Sequence, residues 1–271
     1  MRVNLNWTER YNKGWTPLHN AAMTGELDRV SRSVLTAENM LLRDNEGKTP
    51  LHYAACCGHL DQVPKALLTA ENLVVADKKG WTVLHGAVHG YLAQVPLDLL
   101  TEENMCLKDR SGTSPLDIAA MYSQLDVVPR EIMTSENMVL EDAEGSNPLL
   151  VGALKGQLSF IPSSVFTLEN LHIGDRAGLN VFHCAALRGH LDQLPKEMLT
   201  VESLLIKSKE GKTALAYAKQ YGHLDQVLGL SFPPSTRKLF GEDWWAMNKE
   251  ILGKKEGLAA STEDAPDLGL F

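Results

Sequence analysis

A glycine returns along this chain at a nearly fixed interval: Gly14, Gly47, Gly80, Gly112, Gly145, Gly178 and Gly211 stand at steps of 33, 33, 32, 33, 33 and 33 residues. Each opens a variation on one sentence: "GWTPLHNAAMTGELDRV", "GKTPLHYAACCGHLDQVP", "GWTVLHGAVHGYLAQVP", "GTSPLDIAAMYSQLDVVP", "GSNPLLVGALKGQLSFIP", "GLNVFHCAALRGHLDQLP" and "GKTALAYAKQYGHLDQV". The single short step reflects one residue lost near His89. A fixed period of this size changes the meaning of every motif inside it, because a residue's place in the period comes before its chemistry.

The second copy shows what one period can fold into. Thr49 fits an N-cap, Pro50 the first helical position, and Leu51, Ala54 and Ala55 an apolar stripe that stops at Gly58. Asp61 is then expected to cap a second helix led in by Leu60, with Val63, Leu67 and Leu68 turned inward. Pro64 would fall at its third position, where the missing N–H has no intrahelical partner, as would Pro96, Pro129, Pro162 and Pro195. A Thr-x-Glu segment follows in the first six copies, from "TAENM" to "TVESL", with Thr suited to cap a fresh turn that Leu or Met seals. Asp44, Asp77, Asp109, Asp142 and Asp175 suit the opening of the next tight turn. No copy can bury its own apolar face, so neighbours must stack.

The TPLHxAA core, the GHL turn and the 33-residue period resemble the ankyrin repeat, almost verbatim in copies one, two and six. Copies four and five depart furthest, with Asp117 and Leu150 in the histidine's place. The resemblance implies an all-α ankyrin-repeat solenoid of helix–turn–helix units with β-turn fingers. The expected organisation is a lead-in at 1–10, seven repeats over 11–230 (11–43, 44–76, 77–108, 109–141, 142–174, 175–207 and 208–230), and a C-terminal segment at 231–271. In that last segment Phe240, Trp244, Met247 and Ile251 form one stripe, expected as a C-terminal capping helix, and "STEDAPDLGLF" a mobile acidic tail. Arg29, Ser31, Arg32 and Ser33 give the first copy a polar outer side.

The chemical motifs dissolve into the period. The Gly-Lys-Thr triplets at 47–49 and 211–213 lack the earlier glycine of a phosphate loop, with Leu42 and Ile206 in its place. His19, His52, His85 and His183 fill the TPLH place, and His59, His190 and His223 the GHL place. The resemblance implies that the first group bonds the Thr hydroxyl and backbone between copies. Cys56, Cys57, Cys106 and Cys184 have neither disulfide nor zinc spacing. No catalytic residue, cofactor or metal is expected, and no small-molecule substrate. The net charge of −8 disfavours nucleic acid and anionic membranes. Around the turn glycines, eight basic residues against three acidic are cancelled by the five recurrent aspartates.

A surface remains. In the resembling family, turn tips and the outward side of the first helices form a concave ledge that grips folded proteins. The matching places here hold Trp15, Met23, Lys48, Trp81, His89, Arg110, Met121, Tyr122, Lys155, Leu187, Arg188 and Lys212, among them types enriched at interfaces. The expectation is a cytoplasmic, monomeric, non-enzymatic interaction module that binds an unidentified protein partner there. The alternatives are a Cys/His-dependent enzyme or metal-binding protein, and docking through the Trp-rich C-terminal helix.

Overall fold

The structure is a computed structural model that describes residues 6–228 together with Leu230, Trp245, Asn248 and Lys249. It comprises two compact units, Met1–Val165 and Phe166–Phe271. Both are built from short helices and tight turns. Among the described residues, β-type pairing is limited to the isolated bridges Ala76–Thr82, Gly174–Asn180 and Lys207–Thr213. The fold class is all-α.

Copies two to six each begin with a turn whose aspartate organises the backbone. Asp44 Oδ1 accepts from the amides of Glu46 and Lys48 at 2.8 and 2.9 Å, and Asp77, Asp109, Asp142 and Asp175 repeat the pair. Gly47 takes φ +83°, and a Cβ there would meet the Lys78 amide nitrogen at 3.0 Å. Only glycine allows both the left-handed backbone and so close a neighbour. The Lys78 amide in turn donates to the Glu46 carbonyl at 3.0 Å, and Asn45 to Lys13, Arg110 to Lys79 and Ala143 to Ser111 tie successive turns in the same way.

The first helix of each layer forms as its residues dictate. Thr49 has extended backbone and accepts from the His52 amide, Pro50 opens Pro50–Cys57, and Gly58 closes it in the left-handed region. Leu51, Ala54 and Ala55 are fully buried. Their small side chains let helices approach: a Cβ at Gly86 would stand 2.8 Å from Cys56 Sγ. In the first unit, Pro17–Thr24 packs on Pro50–Cys57 and that helix on Val83–Ala87, while Pro115–Met121 packs on Pro148–Lys155. In the second, Val181–Arg188 packs on Ala214–Tyr221. The residue lost near His89 shortens Val83–Ala87 to five residues.

The expected second helix does not form. After Gly58 the chain makes a 3-10 turn at Leu60–Gln62, leaves it at Val63 (φ −79°, ψ 135°), and starts another at Lys65–Leu67. Asp61 lies inside the first turn and caps nothing. Pro64 (φ −54°, ψ 127°) precedes the second turn, not the third position of a helix. A residue before proline is driven out of the helical region, which accounts for Val63. The first copy breaks at the same point, Val30, with Ser31 in place of proline, so proline reinforces a break that does not depend on it alone. Val63 and Leu68 are buried as expected, but Leu67 is only half-buried.

The Thr-x-Glu-Asn segment completes the layer. Thr69 accepts from the Asn72 amide at the start of Ala70–Leu73, and Leu73 is fully buried. The asparagine also reaches back: Asn72 Nδ2 donates to the Leu67 carbonyl at 2.8 Å, as Asn39 does to Val34, Asn104 to Leu99 and Asn137 to Ile132. It thereby satisfies a carbonyl that a continuous helix would have engaged.

The expected C-terminal helix and tail lie outside the described residues apart from Trp245, Asn248 and Lys249, which are helical. Asn248 is buried and donates to the Leu230 carbonyl at 3.1 Å.

Candidate docking surface

Two side-chain ties recur between neighbouring layers. The first is the histidine. The Thr49 amide donates to His52 Nδ1 at 3.1 Å, which places the proton on Nε2, and Nε2 donates to the Trp81 carbonyl in the next layer at 3.1 Å. His19 reaches the Lys48 carbonyl, His85 that of Thr113 and His183 that of Lys212. Burial pushes His52 down to about 4, and lowers His19, His85 and His183 as well, so these rings are held neutral. The second tie is a glutamine that sequence reasoning missed. Gln94 Oε1 accepts from the Leu60 amide at 3.0 Å, and its Nε2 donates to the Gly58 carbonyl at 2.7 Å. Gln62 accepts from Leu27, and Gln226 accepts from Leu191 and donates to Gly189.

Copy four keeps one tie and lacks the other. Asp117 closes the cap of its helix, accepting from Ser114 Oγ at 2.6 Å and from the Ser114 amide at 2.8 Å. It does not extend the histidine's bond to the next layer. Asn147 caps the fifth copy's helix from its own side, with Leu150 donating only its amide. The glutamine tie persists from a different place: Gln157 accepts from the Leu125 amide and donates to the Ala120 carbonyl at 2.6 Å. In these copies "SQL" and "GQL" replace "GHL", and the glutamine has moved three residues toward the helix.

The structure groups some of the residues expected at the surface and separates others. Trp15 stands edge-on to Tyr53 of the next layer with ring centres 4.9 Å apart, and Lys48 Nζ lies 6.0 Å above the Tyr53 ring. Tyr53 was not anticipated; it also donates to Asp44 Oδ2 at 2.8 Å. Trp81 has no such cover, because Ile118 occupies the matching place four residues after the cap. A hollow of about 280 Å³ opens there, and Trp81, His89, Met121 and Tyr122 line it with Ile118, Asp109 and Asp142. The Trp81 and His89 rings are 5.4 Å apart, those of His89 and Tyr122 4.5 Å. Met121 and Tyr122 are each 47% exposed. Met23, Arg110 and Lys155 are exposed singly, outside this hollow. In the second unit Leu187 is half-buried, Arg188 exposed, and Lys212 lies 5.4 Å above the Tyr217 ring.

The thiols are poor nucleophiles in this setting. Burial pushes Cys56 and Cys106 up to about 11 and Cys184 up to about 12, and raises Cys57. Among the described residues no group of three or more His, Cys, Asp or Glu side chains is arranged to hold a metal ion, and no helix is long and apolar enough to cross a membrane.

The comparisons with known proteins agree with this geometry. A family model for ankyrin repeats (3 copies) matches residues 2–72 and again 18–97. Residues 2–97 therefore carry ankyrin repeats. Among solved structures it is similar to the ankyrin repeat domain of Bcl-3, described as a unique member of the IkappaB protein family, at 20% identity and a TM-score of 0.52. That match covers 80% of this chain and 99% of the other, and supports the fold alone. No curated protein matches. Ankyrin repeats are in general modules for protein–protein interaction.

Proposed function

We propose that this ankyrin-repeat chain is a non-enzymatic interaction module whose turn tips and first-helix faces bind a protein partner, with the Trp81–Tyr122 hollow as the centre of contact in the first unit. One observation carries the reading: the layer-to-layer ties engage His19, His52, His85 and His183, the glutamines and the turn backbone, while Trp81, Met121 and Tyr122 gather at a half-open hollow. Aromatic and methionine side chains in such a place are the residue types that dominate binding energy in protein interfaces. The raised thiols, and histidines whose two ring nitrogens are both engaged in caps and backbone bonds, argue against a Cys/His enzyme, since a nucleophile needs a depressed pKa or a free activating base.

The test replaces Trp81, Arg110 and Tyr122 together with alanine. Affinity capture from native cell extract by the unaltered chain defines the partner, and the triple variant is expected to lose it while retaining its helical content. Retained capture by a folded triple variant would refute this placement of the surface.

A further inference from the structure

The hollow beside Trp81 is aromatic on its walls and acidic at its edge. Trp81, His89 and Tyr122 form a contiguous run of rings, and Asp109 and Asp142 are the charged residues among those lining it. No lysine or arginine lines it. His89 adds no charge, because burial lowers its pKa. Both carboxylates are fixed by the turns they organise. Asp109 Oδ1 accepts from the Ser111 and Thr113 amides, and its Oδ2 accepts from Trp81 Nε1 at 2.7 Å. Burial works to raise the Asp109 pKa, but the bonds from Ser111, Thr113 and Trp81 outweigh it and hold the group below its ordinary value. Asp142 Oδ1 accepts from the Glu144 and Ser146 amides at 2.9 Å, and its Oδ2 takes part in neither bond.

Such walls discriminate by charge. An anion would meet two carboxylates at close range, and a neutral apolar group would leave them without compensation. A planar cation suits both features, because it can lie on the face of an aromatic ring and donate in-plane N–H groups to a carboxylate. Arginine meets these demands better than lysine, whose ammonium is a compact point charge that is strongly hydrated. We propose that the hollow lined by Trp81, Tyr122, Asp109 and Asp142 receives an arginine side chain of the partner protein. This assignment rests on the docking reading above and gives the partner's anchor its chemistry.

The experiment titrates the ¹⁵N-labelled 271-residue chain with the peptide acetyl-Gly-Arg-Gly-amide and follows the Trp81 indole N–H resonance. The citrulline peptide serves as a neutral isostere. The arginine peptide should move the Trp81 signal saturably and the citrulline peptide should not. Asp142→Asn keeps a side-chain oxygen for the Glu144 and Ser146 amides and removes the charge, so it should weaken the arginine peptide about tenfold. An unmoved Trp81 signal, or equal response to citrulline, overturns the proposal even if Asp142→Asn fails to fold. Since no partner protein is present, a negative titration alongside loss of capture in the triple variant would reject the arginine anchor and leave the docking surface standing.

Discussion

Copies two and four occupy the same unit and share a backbone plan, yet their capping boxes are closed by different chemistry. In copy two, His52 bonds Thr49 on one side of its ring and the Trp81 carbonyl of the next layer on the other. In copy four, Asp117 returns both observed bonds to Ser114. A carboxylate is long enough to close a cap and too short to span two layers, whereas an imidazole has nitrogens on opposite edges. The histidine therefore serves both helix and stack, and the aspartate serves the helix alone.

The pH dependence of stability offers the largest effect with which to break this contrast. Folding holds His52 near 4 against an ordinary 6.5, so its contribution is fully present above 6.5 and is lost as the pH falls through that window to about 4. The loss from His52 amounts to about 3 kcal/mol, and His19 and His85, lowered in the same direction, add to it. Asp117 works the other way: burial raises it above 3.8, so folding favours its protonated form and its unfavourable contribution at neutral pH is relieved on acidification. Urea midpoints between about pH 7 and about pH 4.5 should fall steeply, and less steeply in a His52→Gln variant. A flat profile would contradict the buried, neutral histidine.

Truncation sharpens the contrast at constant pH. His52→Ala removes a buried ring and leaves the Thr49 amide and the Trp81 carbonyl short of a partner, at a cost of about 3 kcal/mol. Asp117→Ala loses only one side of a capping box, at about 1 kcal/mol. Urea denaturation at neutral pH measures both. Equal losses would mean that the bond across layers contributes nothing.

What could be read from the sequence follows from which interactions are local. The caps at Thr49 and Thr69, the turn aspartates, the left-handed Gly58 and the buried Leu51–Ala54–Ala55 stripe all rest on residues a few places apart, and they appear as expected. The second helix failed because its periodicity was apolar enough, while Val63 and Val30 turn extended in a way that the stripe conceals. The glutamine tie joins positions 34 residues apart, such as Leu60 and Gln94, and shifts place in copies four and five. A repeated Gln in "DQV" and its reappearance in "SQL" and "GQL" was the available signal. Among the surface residues, the grouping of Trp81, His89, Met121 and Tyr122 depends on Ile118 standing where Tyr53 stands in copy two. That difference between copies is visible in an alignment of the repeats, but its consequence requires the space beside Trp81.

Asp117→His puts the principle that register dictates role to its most direct test, by installing the missing tie between copies four and five. The new ring should accept from the Ser114 amide and donate to the Ser146 carbonyl, the counterpart of the Trp81 carbonyl that His52 of copy two reaches. The predicted result is a higher urea midpoint at neutral pH, worth about 1 kcal/mol, for one added buried hydrogen bond and one less buried charge. A lower midpoint in a folded variant would contradict the account, because a histidine in its own register would then have failed to join the layers.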